Sequence, residues 1–118
     1  MGFLNASPVP GDEDREKFSH LFRADETVEF AFKTVRDHVL FTQKRLILVD
    51  VQGITGSKKR YTSYPYRALT SFSIETAGSF DLESEMTLTL SGHPAIELNF
   101  SRNSRVEELQ RFLAERML

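Results

Sequence analysis

Phe41-Thr42-Gln43-Lys44-Arg45-Leu46-Ile47-Leu48-Val49-Asp50 is the stretch whose reading decides the fold. Its second half is a nearly unbroken apolar, β-branched run, and Gln43-Lys44 is a polar pair short enough to turn one strand into the next. With those two residues as the turn, Phe41 faces Leu46 and Val39 faces Leu48 on one side of the ribbon. Leu40 faces Ile47 and His38 faces Val49 on the other. Both faces are then apolar. A strand with one wet face alternates, so this hairpin is expected to be covered twice, once by the core and once by something else.

Working outward, Val28, Phe30 and Phe32 alternate with Glu29, Ala31 and Lys33, which predicts a strand with one aromatic core face and one wet face. After the hairpin, residues 57–66 form a Tyr/Thr/Ser-rich strand. It carries Pro65, which cannot donate to a ladder and so places the strand on an edge. Lys58-Lys59-Arg60 suits such an edge, because charge discourages stray pairing. Residues 69–76, 85–91 and 95–100 continue the period of two. In residues 12–23, Phe18, Leu21 and Phe22 recur at helical spacing behind the acidic Asp12, Glu13 and Asp14, which predicts a short helix that must dock its apolar face. Ser104 and Glu107 stand at capping-box spacing before the stripe Val106, Leu109, Phe112, Leu113 and Met117 of a terminal helix. Pro8-Val9-Pro10-Gly11 breaks regular structure, so residues 1–11 are expected to be a flexible lead and residues 12–118 a single domain. The order is a short helix, about seven antiparallel strands and a C-terminal helix, an α+β and mainly β pattern. Two near-orthogonal sheets with the helix closing an open corner satisfy it economically.

That order is the one found in the pleckstrin-homology superfold. The opening stretch, then Gln52-Gly53-Ile54-Thr55-Gly56-Ser57-Lys58-Lys59, then Ile74-Glu75-Thr76-Ala77-Gly78-Ser79-Phe80-Asp81-Leu82, resemble signature stretches of the bacterial pleckstrin-homology family. The similarity runs from about the first helix to the C-terminus. The resemblance implies a PH-like barrel, a tendency to ring-like homo-oligomers and no established enzymatic activity. Phosphoinositide-binding eukaryotic members use a long basic first hairpin loop, whereas here only Val35-Arg36-Asp37 joins the first two strands of the domain. Lys33 and Arg36 are the basic residues near it, and Asp37 offsets one of them, which argues against an inositol phosphate ligand.

Composition narrows the function. The 118 residues, 40% hydrophobic and 27% charged with a formal net charge of -2, describe an ordinary soluble domain without a global field for nucleic acid or an anionic membrane. The absence of cysteine removes disulfides, thiolate nucleophiles and the usual zinc sites. No apolar run approaches the roughly 20 residues of a membrane span, and the basic-then-apolar layout of a secretory signal is missing, so a cytoplasmic location is expected. His20, His38 and His93 lack the i, i+4 partner of a helical metal or protease motif. Asp81, Glu83 and Glu85 lack the glycine-bearing loop of a calcium motif. No Ser, Thr or Lys has a nucleophile context, so neither catalytic residues nor a cofactor or metal are expected.

Two surfaces are left as candidates. The apolar outer face of the hairpin, Leu40, Ile47, Val49 and Val51, requires a cover. The helix residues Phe18, Leu21 and Phe22 can supply it in cis, or together with it they can meet a second copy of the chain. The ring tendency implied by the family resemblance favours the second arrangement, a self-associating scaffold or binding module. The other surface is the edge Lys58, Lys59 and Arg60, which suits a small anion, an anionic lipid headgroup, or a partner protein added as a strand.

Overall fold

The computed structural model describes residues 2–80 and 82–117. Its elements run β1 (Gly2–Val9), α1 (Gly11–Lys17), β2 (Val28–Lys33), β3 (His38–Thr42), β4 (Arg45–Gln52), β5 (Lys58–Pro65), β6 (Leu69–Thr76), β7 (Ser84–Leu90), β8 (His93–Phe100) and α2 (Val106–Met117). Single 3-10 turns stand at Ser19–Leu21 and Tyr66–Ala68. The chain divides into two compact units, Pro8–Pro65 and the remainder.

In the first unit the strand order is β5-β4-β3-β2, antiparallel throughout. The β3–β4 register is the one the turn at Gln43-Lys44 dictates: His38 opposite Val49, Val39 opposite Leu48, Leu40 opposite Ile47 and Phe41 opposite Leu46. Every residue of β3 is buried, as the two apolar faces require. One face holds Phe32, Val39, Phe41, Leu46 and Leu48, with the Phe32 and Phe41 rings edge to face at 6.1 Å. The other holds Ala31, Leu40, Ile47 and Val49 together with Phe18. Ala31, expected on the wet side of its strand, is buried because the Ala31, Leu40, Ile47 row lies under this second cover.

The N-terminal helix is shorter than its periodicity predicts. It stops at Lys17, and Phe18 leaves helical geometry before the 3-10 turn. A side chain at Gly11 would collide with the Val28 carbonyl, so glycine at the start of α1 allows the helix to lie directly against β2.

In the second unit the order is β1-β8-β7-β6. Here the N-terminal segment departs from expectation. Gly2–Val9, expected as an irregular lead, is an eighth strand and runs parallel to β8. The register slips between Phe3 and Ala6, where Asn5 takes a φ of 53°. The buried Phe3 and Ala6 therefore stand three apart, which hides the period of two by which a strand is recognised. Helix α2 buries Val106, Leu109 and Leu113. Phe112 is only half-buried, edge-on to Tyr66 at 5.9 Å and beneath the Arg116 guanidinium at 4.5 Å. The capping box does not form as spaced. The helix begins at Val106, Arg105 sits at a φ of 57°, and the Ser104 hydroxyl donates back to the Ser101 carbonyl at 2.6 Å.

Candidate binding surface

The outer face of the hairpin is covered within the chain. Phe18, Leu40, Ile47 and Val49 are each at most 2% exposed, and Leu21, Phe22, Val51, Val9 and Val28 pack around them. All seven residues first considered for an interface between copies are thus brought together, but by the chain's own N-terminal segment. A polar clasp holds this cover. Asp14 of α1 and His38 of β3, both buried, are hydrogen-bonded at 3.0 Å between Oδ2 and Nδ1. Phe18 meets the His38 ring edge-on at 5.0 Å. Pairing two buried polar groups avoids the penalty that either would incur alone.

The basic edge lies on the surface. Lys58, Lys59 and Arg60 are exposed in β5, which ends its row of strands and bonds β4. Their partners in register are Gln52, Val51 and Asp50, so Lys58 and Arg60 share one face and Lys59 the other. At this end β2 finishes at Lys33, opposite His38, and β4 finishes beside the start of β5. The β2–β3 and β4–β5 loops therefore lie side by side, and they are tied: the Arg36 guanidinium donates to the Gly53 carbonyl. Asp37 is built into the same junction, its Oδ1 accepting the Val51 amide at 2.9 Å. Lys59 donates to the Gly56 carbonyl at 3.4 Å. One end of the unit thus carries the cations Lys33, Arg36, Lys58, Lys59 and Arg60 against the carboxylates Asp37, Asp50 and the buried Asp14 on His38, on a chain whose net charge is -2. At its tips stand Val35, 91% exposed, and Ile54, fully exposed. Sequence reasoning placed Lys33 and Arg36 near a loop but could not join that loop to the β4–β5 turn. Their only sequence signal is the shared sheet end that antiparallel pairing imposes.

The charged groups at the other end of this unit are paired with one another. A cavity of about 370 Å³ lined by Leu21, Arg23, Glu26, Lys44, Arg45, Ser63 and Pro65 contains an internal ion pair. Arg45 forks onto Glu26 at 2.9 and 3.0 Å, and the Thr42 hydroxyl donates to the same carboxylate at 2.7 Å. Burial alone would raise the Glu26 carboxyl, but these bonds and the Arg23 amide hold it below its ordinary 4.5. Lys44 is paired with Asp25 at 3.4 Å. Of the acidic trio, Asp81 lies outside the described residues. Glu83 and Glu85 are exposed on a groove of about 390 Å³, with Glu75 directly opposite Glu85 and Asn99 donating to Glu85 at 3.1 Å. Among the described residues no cluster of three or more His, Asp or Glu is placed to hold a metal. No helix of the described chain is long and apolar enough to cross a membrane.

This fold, mainly β with a short N-terminal and a longer C-terminal helix, is PH-like. A pleckstrin-homology-domain protein of the DUF1696 family from Shewanella loihica superposes with a TM-score of 0.82 at 37% identity, covering 97% of this chain and 98% of that one. The pleckstrin homology domain from Shewanella amazonensis superposes at 0.68 with 40% identity, covering 97% and 93%. The description "Bacterial PH domain" matches residues 2–117, and the chain belongs to that family. It is 45% identical to the uncharacterized protein YjqA of Bacillus subtilis over 97% of both chains, and 30% identical to YozO of the same organism over 99% of this chain and 98% of that one.

Proposed function

We propose that this PH-like domain is a non-catalytic binding module that meets an anionic partner through the basic end of the Pro8–Pro65 unit. The observation that carries the reading is the convergence of Lys33, Arg36, Lys58, Lys59 and Arg60 around two loops tied by the Arg36 to Gly53 hydrogen bond. A local field of this sign attracts polyanions despite a negative net charge. Retention on immobilised heparin, a soluble-type polyanion, tests it. The protein should be held at low salt and released as salt rises toward 1 M, where the Debye length falls to about 3 Å. Lys58→Glu with Lys59→Glu should abolish retention, and retention unchanged in that variant would refute the reading.

Self-association through strand β5 is the second reading. The end strand β5 exposes Lys58, Lys59, Arg60 and Tyr61, which suits addition of a strand from another copy. Sedimentation velocity over a range of concentrations tests it. A single monomer boundary at high micromolar concentration would remove it.

A further inference from the structure

Away from the basic end, we infer that the cavity beside the hairpin turn binds a small organic acid, a single carboxylate on a compact apolar body. The cavity occupies the opposite end of the same strands: Arg45 opens β4 and Pro65 closes β5, whereas Gln52 and Lys58 lie at the basic end. Its volume of about 370 Å³ is that of a small-ligand site. Arg45 is the hub. Its guanidinium donates to the Leu21 carbonyl at 2.6 Å, to both Glu26 oxygens and to the Ser63 hydroxyl at 2.9 Å, so the wall residues Leu21, Glu26 and Ser63 are fixed around one side chain. The rim is stapled as well. Gln43 donates to the Asp25 carbonyl at 2.6 Å and accepts the Thr27 amide at 2.8 Å, which ties the hairpin turn to the loop that carries Arg23. Walls formed in advance spare a ligand the cost of ordering them.

The sign of the charge left over follows from the acceptors. Glu26 is spent: one oxygen accepts Arg45 and the Arg23 amide, the other Arg45 and the Thr42 hydroxyl. Its charge is cancelled by Arg45. Arg23 and Lys44 then share one carboxylate, Asp25, at 3.5 and 3.4 Å, and together they carry more N–H donors than Asp25 has lone pairs. A single positive charge remains at the rim. The Ser63 hydroxyl, accepting from Arg45, keeps its own proton to donate. Leu21 and Pro65 supply apolar wall. A monoanion with carbon to bury meets all of these, through a charge-assisted hydrogen bond at the rim and apolar contact below it. A phosphate dianion brings a second charge that no cation here meets, and nothing to cover Leu21 and Pro65. A neutral apolar molecule leaves the rim cations unused.

The test titrates the whole chain with benzoate at neutral pH and follows its amides by heteronuclear NMR. The amides of Leu21, Arg23, Lys44 and Ser63 should shift and saturate in the millimolar range. Acetate, inorganic phosphate and benzyl alcohol should each bind on the order of tenfold more weakly. The Arg23 and Lys44 side chains are 73% and 42% exposed, so Arg23→Gln with Lys44→Gln should keep the wild-type melting temperature while lowering benzoate affinity about tenfold. Lys58→Glu with Lys59→Glu, which disarms the basic end, should leave benzoate binding unchanged. No saturable shift at these amides, or undiminished affinity in the double glutamine variant, would overturn the site. Benzyl alcohol matching benzoate would overturn the role of the cations, and phosphate matching it would overturn the organic acid. Benzoate binding lost in the Lys58, Lys59 variant would move the ligand to the basic end and overturn the cavity. A peptide ending in phenylalanine that binds more tightly than benzoate would overturn the free acid in favour of a protein C-terminus.

Discussion

Ile47 lies 1% exposed among Phe18, Ala31, Leu40 and Val49. An aspartate there would place an unpaired charge in an apolar cluster with no cation to meet it. Ile47→Asp should therefore cost at least about 3–5 kcal/mol and yield an unfolded or molten chain by near-ultraviolet circular dichroism. A folded monomer would show instead that the hairpin face is exposed in solution. Glu26 sets a second expectation. Its folded carboxyl titrates below the ordinary 4.5, so between the two values the unfolded chain binds more protons and stability rises with pH. That contribution is fully present above about 4.5 and is lost as pH falls through the folded value. Melting temperatures measured from pH 6 to 2 should fall steeply below 4.5 in the wild type, and Glu26→Gln should flatten that slope while lowering stability at neutral pH. Equal slopes would mean that the Arg45 fork does not govern acid sensitivity. Neither the Glu26–Arg45 nor the Asp14–His38 contact is visible along the chain, because their members stand 19 and 24 residues apart.

Helix α1 spans only seven residues, too short to persist without its contacts. Phe18, the Asp14–His38 bond and the close approach at Gly11 hold it. Phe18→Ala should cost about 3–5 kcal/mol and Asp14→Ala about 1–3 kcal/mol, the latter by orphaning buried His38. In hydrogen exchange both should deprotect α1 and β3 first, and deprotection confined to α2 would contradict this docking. In α2 the burden falls on Leu109 and Leu113, not on Phe112. Leu109→Ala should cost about 2–5 kcal/mol, and Phe112→Ala less, because its half-buried ring already meets solvent. Urea midpoints of the two variants check that ranking. The periodic pattern located α2 well, yet Phe112 occupies the edge of the apolar stripe, and only the neighbouring Tyr66 and Arg116 show how far it turns outward.

For the molecule as a whole, the apolar hairpin face is buried by the chain's own N-terminal segment, and the exposed strand β5 is the surface offered to a second copy. Association through β5 should be weakened by Arg60→Glu, and raising the protein concentration should protect the amides of residues 58–61 without altering α1. Fast exchange at those amides in a confirmed oligomer would place the contact elsewhere. Charge is also distributed unevenly: a chain of net charge -2 presents a basic end, so salt should affect its partner binding far more than its melting temperature.

Local pattern was enough for most strands, the hairpin register and the terminal helix, because a two-residue turn and alternating side chains leave little freedom in pairing. His38–Thr42 and Leu69–Thr76 could be read directly, and Arg45–Gln52 to within one residue at its end. Three things required the folded chain. Strand β1 carries a bulge at Asn5 that erases its period, and its parallel partner β8 lies some ninety positions away. The second cover of the hairpin could have come from either source, since Phe18, Leu21 and Phe22 suit a neighbour as well as their own sheet; in the folded chain Phe18 is buried on Leu40, Ile47 and Val49, with Leu21 and Phe22 partly buried beside it. The candidate surface arises where loops separated in sequence are tied by Arg36 to Gly53, and a run of residues read alone holds no record of which loop ends share one end of a sheet.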